Sequence, residues 1–373
     1  MAGKRKKIKK AKKSAFKKFL KAIGSILAVI VLVAAGYVAY VFISYHRIPD
    51  NTSLEVVNPA GINKTISQNT EYQLVTWNLG FGAYSDDFTF FMDGGKESRA
   101  FSKDSVNANI AGIVEQLKEI NADFMLLQEV DFDSTRSYHV DEREPIIAAF
   151  GEMSHVFAVN YDSPYLFYPL LSPHGASKSG LLTLSSCKIS SSLRRSLPIE
   201  KGFMKFLDLD RCFSVSRLDV ENGKQLVLVN LHLSAYTSDG GIATKQLQML
   251  VDFMEDEVKA GNYIICGGDF NKDLLGNSPQ IFGVAAKESF TWANPIPDGL
   301  IPEGLSLIYG LDNNDPVPST RNTDIPYKKG VSFCATLDGF IVSSNIISIS
   351  CATLDCGFKN TDHNPVVMTF TLE

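Results

Sequence analysis

The sequence has 373 residues, of which 36 are Lys or Arg and 41 are Asp or Glu, and the charge is unevenly distributed. Residues 1–21 carry eleven basic residues and no acidic one, which leaves 25 basic against 41 acidic residues, a net charge near −16, in residues 22–373. Such an acidic body argues against a protein that holds long nucleic acid by neutralising phosphates, although cleavage of nucleic acid at one focused site stays possible.

An uncharged apolar stretch follows the basic block. Residues 22–44 are rich in Val, Ile, Leu and Ala, and 23 residues can cross a bilayer with modest tilt. The alternative is a cleaved signal peptide, whose apolar region is shorter and precedes a small-x-small cleavage site. Aromatic residues near the far end, and the Tyr-His-Arg that closes it at 45–47, favour an uncleaved signal anchor.

These features divide the chain into four parts. Residues 1–21 are predicted to be a basic cytoplasmic tail, because positive charge stays inside. Residues 22–44 are then a single transmembrane helix in the cell membrane, with the N-terminus in the cytoplasm. Residues 45–71 are polar, rich in turn formers and predicted to be a linker. Residues 72–373 form the folded domain on the outer side.

From residue 72 the sequence alternates between strand-like and helix-like segments. Apolar residues recur at helical spacing in 110–120 and 247–258. Strands are predicted at residues 72–80, 124–130, 180–189, 212–220, 224–236, 264–271, 335–343, 345–354 and 364–373. We interpret 131–178 as irregular and 273–330 as a long functional loop. The mixture of hairpins and strand–helix–strand units predicts an α+β fold, in which two sheets pack face to face with helices outside.

Polar side chains stand at the ends of these predicted strands. The eight residues that share this position are Asn78, Glu129, His232, Asp269, Asn271, Asp338, Asp362 and His363. Any one of them fits a cap or a turn, but eight together predict one site. Carboxylate and amide oxygens are hard ligands that suit Mg²⁺ or Mn²⁺, and two histidines near carboxylates add acid–base chemistry. The set suits metal-assisted attack of water on a phosphoester.

Six short motifs in the sequence occur in an order shared by a known family. They are TWNLG (76–80), LLQEVD (126–131), VNLHLSA (229–235), GGDFN (267–271), LDGFIVS (337–343) and TDHNPV (361–366). On these motifs residues 72–373 resemble the endonuclease/exonuclease/phosphatase superfamily, which includes deoxyribonucleases, inositol-polyphosphate phosphatases and neutral sphingomyelinases. The chain resembles a membrane-anchored, bacterial-type member. The resemblance implies a four-layer α/β/β/α sandwich.

The resemblance also implies metal ligands. Glu129 is similar to the principal magnesium ligand of the family, Asn78 lies near the metal and the phosphate, and Asp362 reaches the metal. Mn²⁺ is an alternative to Mg²⁺. Thr361 stands where the family often has Ser, which keeps the hydroxyl.

The remaining motif residues resemble the family's catalytic groups. Asp269 resembles the residue that aligns or deprotonates the attacking water, and Asn271 the residue that holds it. His363 resembles the histidine that stabilises the phosphorus centre, oriented by Asp338. His232 resembles a second phosphate-side histidine or general acid.

The loops do not identify the substrate. A tethered domain favours a lipid head group or a small phosphoester, and the alternative is a cell-surface nuclease that cleaves DNA or RNA. Arg136, shortly after Glu129, either binds a second phosphate or head group, or pairs with Asp131 or Asp133. An inactive surface binding module is disfavoured because no motif residue is missing. No protein partner is predicted, and the partners are the phosphoester and the membrane at residues 22–44.

Two of the six cysteines are near each other in the sequence. Cys351 and Cys356 are close enough for a local disulfide, which an outer location permits, or they are free thiols. The cysteines at 187, 212 and 266 lie in strand-like stretches and are predicted to be small buried apolar residues.

Overall fold

The computed structural model describes residues 2–201, 205, 210–235, 241–287, 290–312 and 314–373. The chain forms two units, Met1–His46 and Arg47–Glu373. In the first unit, helix α1 (Ala2–Ser44) runs through both the predicted basic tail and the predicted membrane span. Its segment Lys13–Ser44, with a mean hydropathy of 2.7 in its most apolar window, is long and apolar enough to cross a membrane.

The second unit contains all the strands that the structure describes. In chain order these are β1 (Thr52–Ser53), β2 (Val56–Val57), β3 (Tyr72–Asn78), β4 (Phe124–Asp131), β5 (Ser154–Leu166), β6 (Gly175–Ser185), β7 (Ser191–Ser196), β8 (Cys212–Asp219), β9 (Gln225–His232), β10 (Tyr263–Asp269), β11 (Leu305–Ile308), β12 (Thr320–Arg321), β13 (Cys334–Ala335), β14 (Asp338–Ser343), β15 (Ile346–Thr353) and β16 (Val366–Leu372). Its α-helices within the described ranges are α2 (Lys103–Ile120), α3 (Arg143–Ala149), α4 (Gly241–Lys259) and α5 (Ser278–Phe282).

The strands form two large mixed sheets. Sheet one has the spatial order β1-β7-β8-β9-β10-β14-β11, and sheet two has the order β15-β16-β3-β4-β6-β5-β2. Each sheet has one parallel pair at its centre, β9 with β10 and β3 with β4. The other neighbours within the two sheets are antiparallel. Strands β12 and β13 pair separately.

Three apolar cores join the layers. One core lies between the sheets and includes Leu126 of β4 and Phe340 of β14. A second core packs α2 on the outer face of sheet two, and a third packs α4 on the outer face of sheet one. This is the four-layer α/β/β/α sandwich that the sequence predicts.

Helix α2 shows how local sequence places these layers. Ser102 caps the helix, because its hydroxyl accepts a hydrogen bond from the Ser105 amide while the Ser105 hydroxyl accepts one from the Ser102 amide. Its buried face consists of Val106, Asn109, Ile110, Ile113, Val114 and Leu117. The helix ends where Asn121 adopts a left-handed φ of 53°.

The predicted linker differs from the structure. Within 45–71, residues from Arg47 onward belong to the folded unit. Strand β1 pairs with β7 at the edge of sheet one, and β2 pairs with β5 at the edge of sheet two. Ile66 is fully buried in the core between the sheets. The short strands escaped prediction because two-residue segments carry no readable periodicity.

Two stretches predicted to lack regular structure contain some. The region 131–178 includes α3 and the 13-residue strand β5. Apolar side chains lie on both faces of β5, which obscures the alternation that marks a half-buried strand. The loop at 273–330 includes α5, β11 and β12.

The cysteines are free thiols. All six are unpaired in the structure, including Cys351 and Cys356, so the disulfide alternative is not observed. The cysteines at 187, 212 and 266 are buried, as predicted.

Gly267 lies where side chains of the two sheets meet. A Cβ at this position would lie 2.8 Å from Leu126 of sheet two and 2.7 Å from Phe340 of sheet one. We therefore expect Gly267→Ala to lower the unfolding free energy by about 1–3 kcal/mol, the usual cost of overpacking a core. Gly151→Ala is the matched control, because its Cβ would meet nothing closer than 3.9 Å. Thermal unfolding of the detergent-solubilised chain measures both, and equal melting temperatures would contradict this packing.

Candidate active site

Strand register brings the predicted residues to one rim of the sandwich. Asn78 lies opposite Gln128 in the parallel pair of sheet two. Asp269 lies opposite His232 in the parallel pair of sheet one, and opposite Asp338 on the other side. Because the carboxyl ends of parallel strands meet at the same sheet edge, these side chains share the rim.

Glu129 reaches the rim through a β-bulge. The pairing of β4 with β6 shifts between Leu127 and Val130, and Glu129 adopts a left-handed φ of 51° at that shift. A bulge re-aims a side chain that regular alternation would point elsewhere. Its carboxylate is 25 % exposed, whereas that of Asp269 is 3 % exposed. Glu129 is therefore the more open of the two carboxylates.

Asn78 joins two of the acidic groups. Its Nδ2 donates to Glu129 Oε1 at 3.2 Å and to Asp269 Oδ2 at 3.1 Å. Its Oδ1 accepts a hydrogen bond from the Gly80 amide at 3.0 Å. The structure thus places the side-chain amide of Asn78 as a donor between the two carboxylates.

Asp269 is the centre of the cluster. Its Oδ2 lies 3.5 Å from His232 Nε2 and 3.7 Å from His363 Nε2. Its Oδ1 accepts from the Asn271 amide at 2.8 Å, and Asn271 Nδ2 donates to the Leu233 carbonyl at 2.8 Å. Burial raises the pKa of Asp269 to about 7, against the opposing effect of the His363 charge. This carboxylate can therefore exchange a proton near neutral pH.

His363 and Asp338 form a buried pair. His363 Nδ1 lies 2.8 Å from Asp338 Oδ2. Burial lowers the pKa of His363, but the Asp338 carboxylate outweighs it and raises the pKa to about 10. Ser319 Oγ also donates to Asp338 Oδ2, at 2.7 Å, and Thr320 Oγ1 lies 3.2 Å from His363 Nε2. His363 is therefore an imidazolium at neutral pH.

His232 is neutral, in contrast to His363. Burial first, and then the nearby charges of Arg211 and His363, hold the pKa of His232 well below its usual value. Its Nδ1 is buried without a hydrogen-bond partner among the residues that the structure describes. His232 Nε2 also lies 3.9 Å from Glu129 Oε1. At neutral pH it is a neutral imidazole, so it does not act as a cationic acid in this state.

Asp362 and Thr361 close the rim beside Asn78. Thr361 Oγ1 donates to the Asn78 carbonyl at 2.9 Å. The threonine that stands where the family often has Ser therefore supplies a hydroxyl that bonds to the backbone of β3. Burial raises the pKa of Asp362 to about 6, against the opposing charges of His363 and Arg321. The Asp362 carbonyl accepts from the Arg321 amide at 3.0 Å.

Arg136 forms a buried ion pair with Asp131. Its Nε and Nη2 donate to both oxygens of Asp131, at 3.0 Å and 2.8 Å. The guanidinium also lies 3.9 Å from the centre of the Phe81 ring. Of the two alternatives, the ion pair with Asp131 is the one observed.

Two buried polar groups were missed by sequence reasoning. Gln128 Nε2 donates to Asn230 Oδ1 at 2.8 Å, which links β4 of sheet two to β9 of sheet one directly below the rim. Ser319 Oγ donates to Asp338 and accepts from the Asp338 amide at 3.0 Å. The amides within the LLQEVD and VNLHLSA motifs were a signal for the first, whereas Ser319 lies in a long loop with no such signal.

The acidic composition of the rim fits a divalent cation. Asp269, Asp338 and His363 offer potential ligand atoms within 4.8 Å of one another. However, Nδ1 of His363 is bonded to Asp338, and an imidazolium has no free lone pair for a metal. The open carboxylate of Glu129, beside Asp269 and with its oxygens only partly bonded, is the better position for a hard cation.

Comparisons with known proteins agree with this geometry. The model of the Endonuclease/Exonuclease/phosphatase family matches residues 75–319. No curated protein matches the sequence.

Solved structures share the fold. An endonuclease/exonuclease/phosphatase from Beutenbergia cavernae DSM 12333 is 16% identical, with a TM-score of 0.56 over 81% of this chain and 72% of that chain. ANGEL2, a 2′,3′-cyclic phosphatase in complex with adenosine-2′,3′-vanadate, is 16% identical, with a TM-score of 0.53 over 86% and 99% of the two chains. D. rerio TDP2 in complex with a single-strand DNA product is 14% identical, with a TM-score of 0.50 over 81% and 100%. With its matched motifs, its fold and its rim of acidic and histidine side chains, the chain belongs to the Endonuclease/Exonuclease/phosphatase family.

Proposed function

We propose that the chain is a membrane-anchored, divalent-metal-dependent phosphoesterase that hydrolyses a lipid head group or another small phosphoester. The observation that carries this proposal is the convergence on Asp269 Oδ2 of His232 Nε2, His363 Nε2 and Asn78 Nδ2, within 3.7 Å. One proton-accepting carboxylate thus stands between a neutral and a cationic imidazole. Family membership supports phosphoester hydrolysis at the coarse level.

Asp269 is proposed to accept the proton of the attacking water. A group with a pKa of about 7 is well matched to proton transfer near neutral pH. Asn271 fixes its orientation through the 2.8 Å bond from the backbone amide. Mg²⁺ or Mn²⁺ held at Glu129, with Asp362 nearby on the rim, would neutralise charge on the phosphoryl oxygens.

The two histidines are proposed to act in different ways. His363, charged and held by Asp338, donates a hydrogen bond to a phosphoryl oxygen as negative charge grows there. His232, neutral, is a hydrogen-bonding partner for the phosphate. Because a protonated His363 lies 3.7 Å from Asp269, each favours the charged state of the other.

The substrate class follows from the anchor and from the charge of the folded part. An acidic domain disfavours long nucleic acid, and a membrane helix places lipid head groups within reach. The test is a screen of the purified full chain with Mg²⁺ against sphingomyelin, phosphatidylinositol phosphates, simple phosphomonoesters, DNA and RNA. Turnover of DNA or RNA alone would overturn the lipid assignment and favour the nuclease alternative.

The first prediction concerns the metal. We expect Glu129→Gln to lower hydrolysis of bis-p-nitrophenyl phosphate by about two to three orders of magnitude, because the amide keeps the shape and removes the charge. Chelation of divalent ions should abolish the activity of the unaltered chain. Glu115→Gln, on the exposed face of α2, is the matched control. Full activity and an unchanged magnesium dependence in Glu129→Gln would refute the metal assignment.

The second prediction concerns the histidine–aspartate pair. Asp338→Asn keeps a hydrogen-bonding group next to His363 but removes the counter-charge, so activity should fall strongly. Adding His363→Ala should then cost little more, because the two residues act as a unit. Rates and melting temperatures of both single variants and the double variant decide this. Multiplicative rate losses, or a normal rate in folded Asp338→Asn, would remove the pair from the mechanism.

The third prediction concerns topology. We expect α1 to remain in the mature protein, with the basic residues in the cytoplasm and the domain from Arg47 outside. Alkaline extraction should leave the full chain in the membrane fraction, and protease added to intact cells should digest the domain. Complete protection, or appearance of a soluble form shortened at its N-terminus, would be incompatible with an outward-facing anchor.

A further inference from the structure

An apolar loop joins β5 to β6. Residues 167–171, Phe-Tyr-Pro-Leu-Leu, are named the apolar tip. Phe167, Tyr168, Leu170 and Leu171 are 50%, 68%, 83% and 102% exposed. The sequence from Ser163 to Pro173 contains no Asp, Glu, Lys or Arg. A contiguous, uncharged and exposed apolar segment of this kind marks an interaction site.

The apolar tip has a defined conformation. The Ser172 amide donates to the Pro169 carbonyl at 3.1 Å, and the His174 amide donates to the Tyr168 carbonyl at 3.0 Å. The Tyr168 ring packs 5.7 Å from the ring of Phe91. Burial lowers the pKa of His174 to about 4, so His174 is neutral at neutral pH, and the Arg99 guanidinium donates to the Pro173 carbonyl at the base of the loop.

A row of aromatic rings connects the apolar tip to the segment that leaves the active site. Phe91 packs against Phe90 at 4.9 Å, and Phe90 packs against Phe81 at 6.4 Å. Phe81 follows Asn78 by three residues and is fully buried. Close-packed rings form a rigid connection, because protein cores deform little. A surface that binds the apolar tip is therefore held in a fixed relation to the rim.

If α1 spans a bilayer, the short link after α1 keeps the domain near that bilayer. Helix α1 ends at Ser44, and Arg47 is already fixed within the domain by a 2.9 Å bond from its Nη2 to the Leu197 carbonyl. Only Tyr45 and His46 lie between, so the tether reaches roughly 10 Å at full extension. Phe and Tyr are the residues that settle at membrane interfaces, and leucine enters the acyl region.

We propose that the apolar tip inserts into the interfacial layer of the bilayer that holds α1, as a second membrane contact that presents the active-site rim to phosphoesters carried on lipids. This inference rests on the membrane anchoring proposed above. The insertion itself requires no catalysis, so its test is independent of the hydrolytic activity.

Tryptophan quenching by brominated lipid tests the insertion. The native Trp77 and Trp292 are buried out of reach of brominated acyl chains, so they contribute a constant background. Leu171→Trp is introduced into the full chain, which is reconstituted in phosphatidylcholine–phosphatidylglycerol vesicles with or without acyl-chain bromination. We expect bromination to lower the added fluorescence about twofold or more. Leu170→Trp serves as a second variant should Leu171→Trp fail to fold.

The matched control is Ile349→Trp. Ile349 is 51% exposed and lies on β15, at the edge of sheet two opposite to the β5 side. Bromination should leave its fluorescence nearly unchanged. Equal quenching of the tip and control variants, or none in either tip variant, would overturn the proposal. The fluorescence of the tip variants could instead change with the number of chains per vesicle and not with bromination. That result would show that the apolar tip contacts a second copy of the chain, and it would also overturn the proposal.

Discussion

The hydrogen bond from Gln128 to Asn230 is the contact on which the geometry of the rim depends. At 2.8 Å it joins the two sheets next to the apolar core, beside Glu129 and two residues before His232. Asn230 Nδ2 also donates to the carbonyls of Leu127 and Leu182, so both the oxygen and the nitrogen of its side-chain amide are bonded to sheet two. A buried polar group without partners is costly, so a slip of one sheet along the other would be penalised. The relative register of the strand ends follows from this pair.

The two histidines show how one small region supports opposite protonation states. Both lie within 3.7 Å of the same carboxylate oxygen and both are buried. Asp338 accepts a hydrogen bond from Nδ1 of His363, whereas Nδ1 of His232 has no partner within the described part of the chain. Desolvation therefore lowers the pKa of His232, whereas the ion pair with Asp338 raises the pKa of His363. Environments that shift the pKa values of similar groups in opposite directions are the usual means of dividing acid–base roles in an active site.

The sequence predicts the sandwich and its rim because strand ends carry short, distinctive motifs. It does not predict the β-bulge that brings Glu129 to the rim, since a bulge with a left-handed φ has no periodic signature. Nor does it distinguish the ion pair of Arg136 from a phosphate contact, because both need the same residue type. Ser319 and the edge strands β1 and β2 escape for a related reason. Their partners lie in other elements, from 19 to 142 residues away, and short-range patterns contain no record of them.

If α1 anchors the chain in a membrane as proposed, the segment that follows α1 affects how the domain could be released. Many tethered ectodomains stand on a disposable stalk, and a protease can shed them intact. Here β1 and β2, only two residues apart, hydrogen-bond to opposite sheets, and Ile66 fills the core between them. A cut after this segment would remove an edge strand from each sheet and expose the core. Under the proposed anchoring, release of the domain with both edge strands in place therefore requires a cut before Thr52.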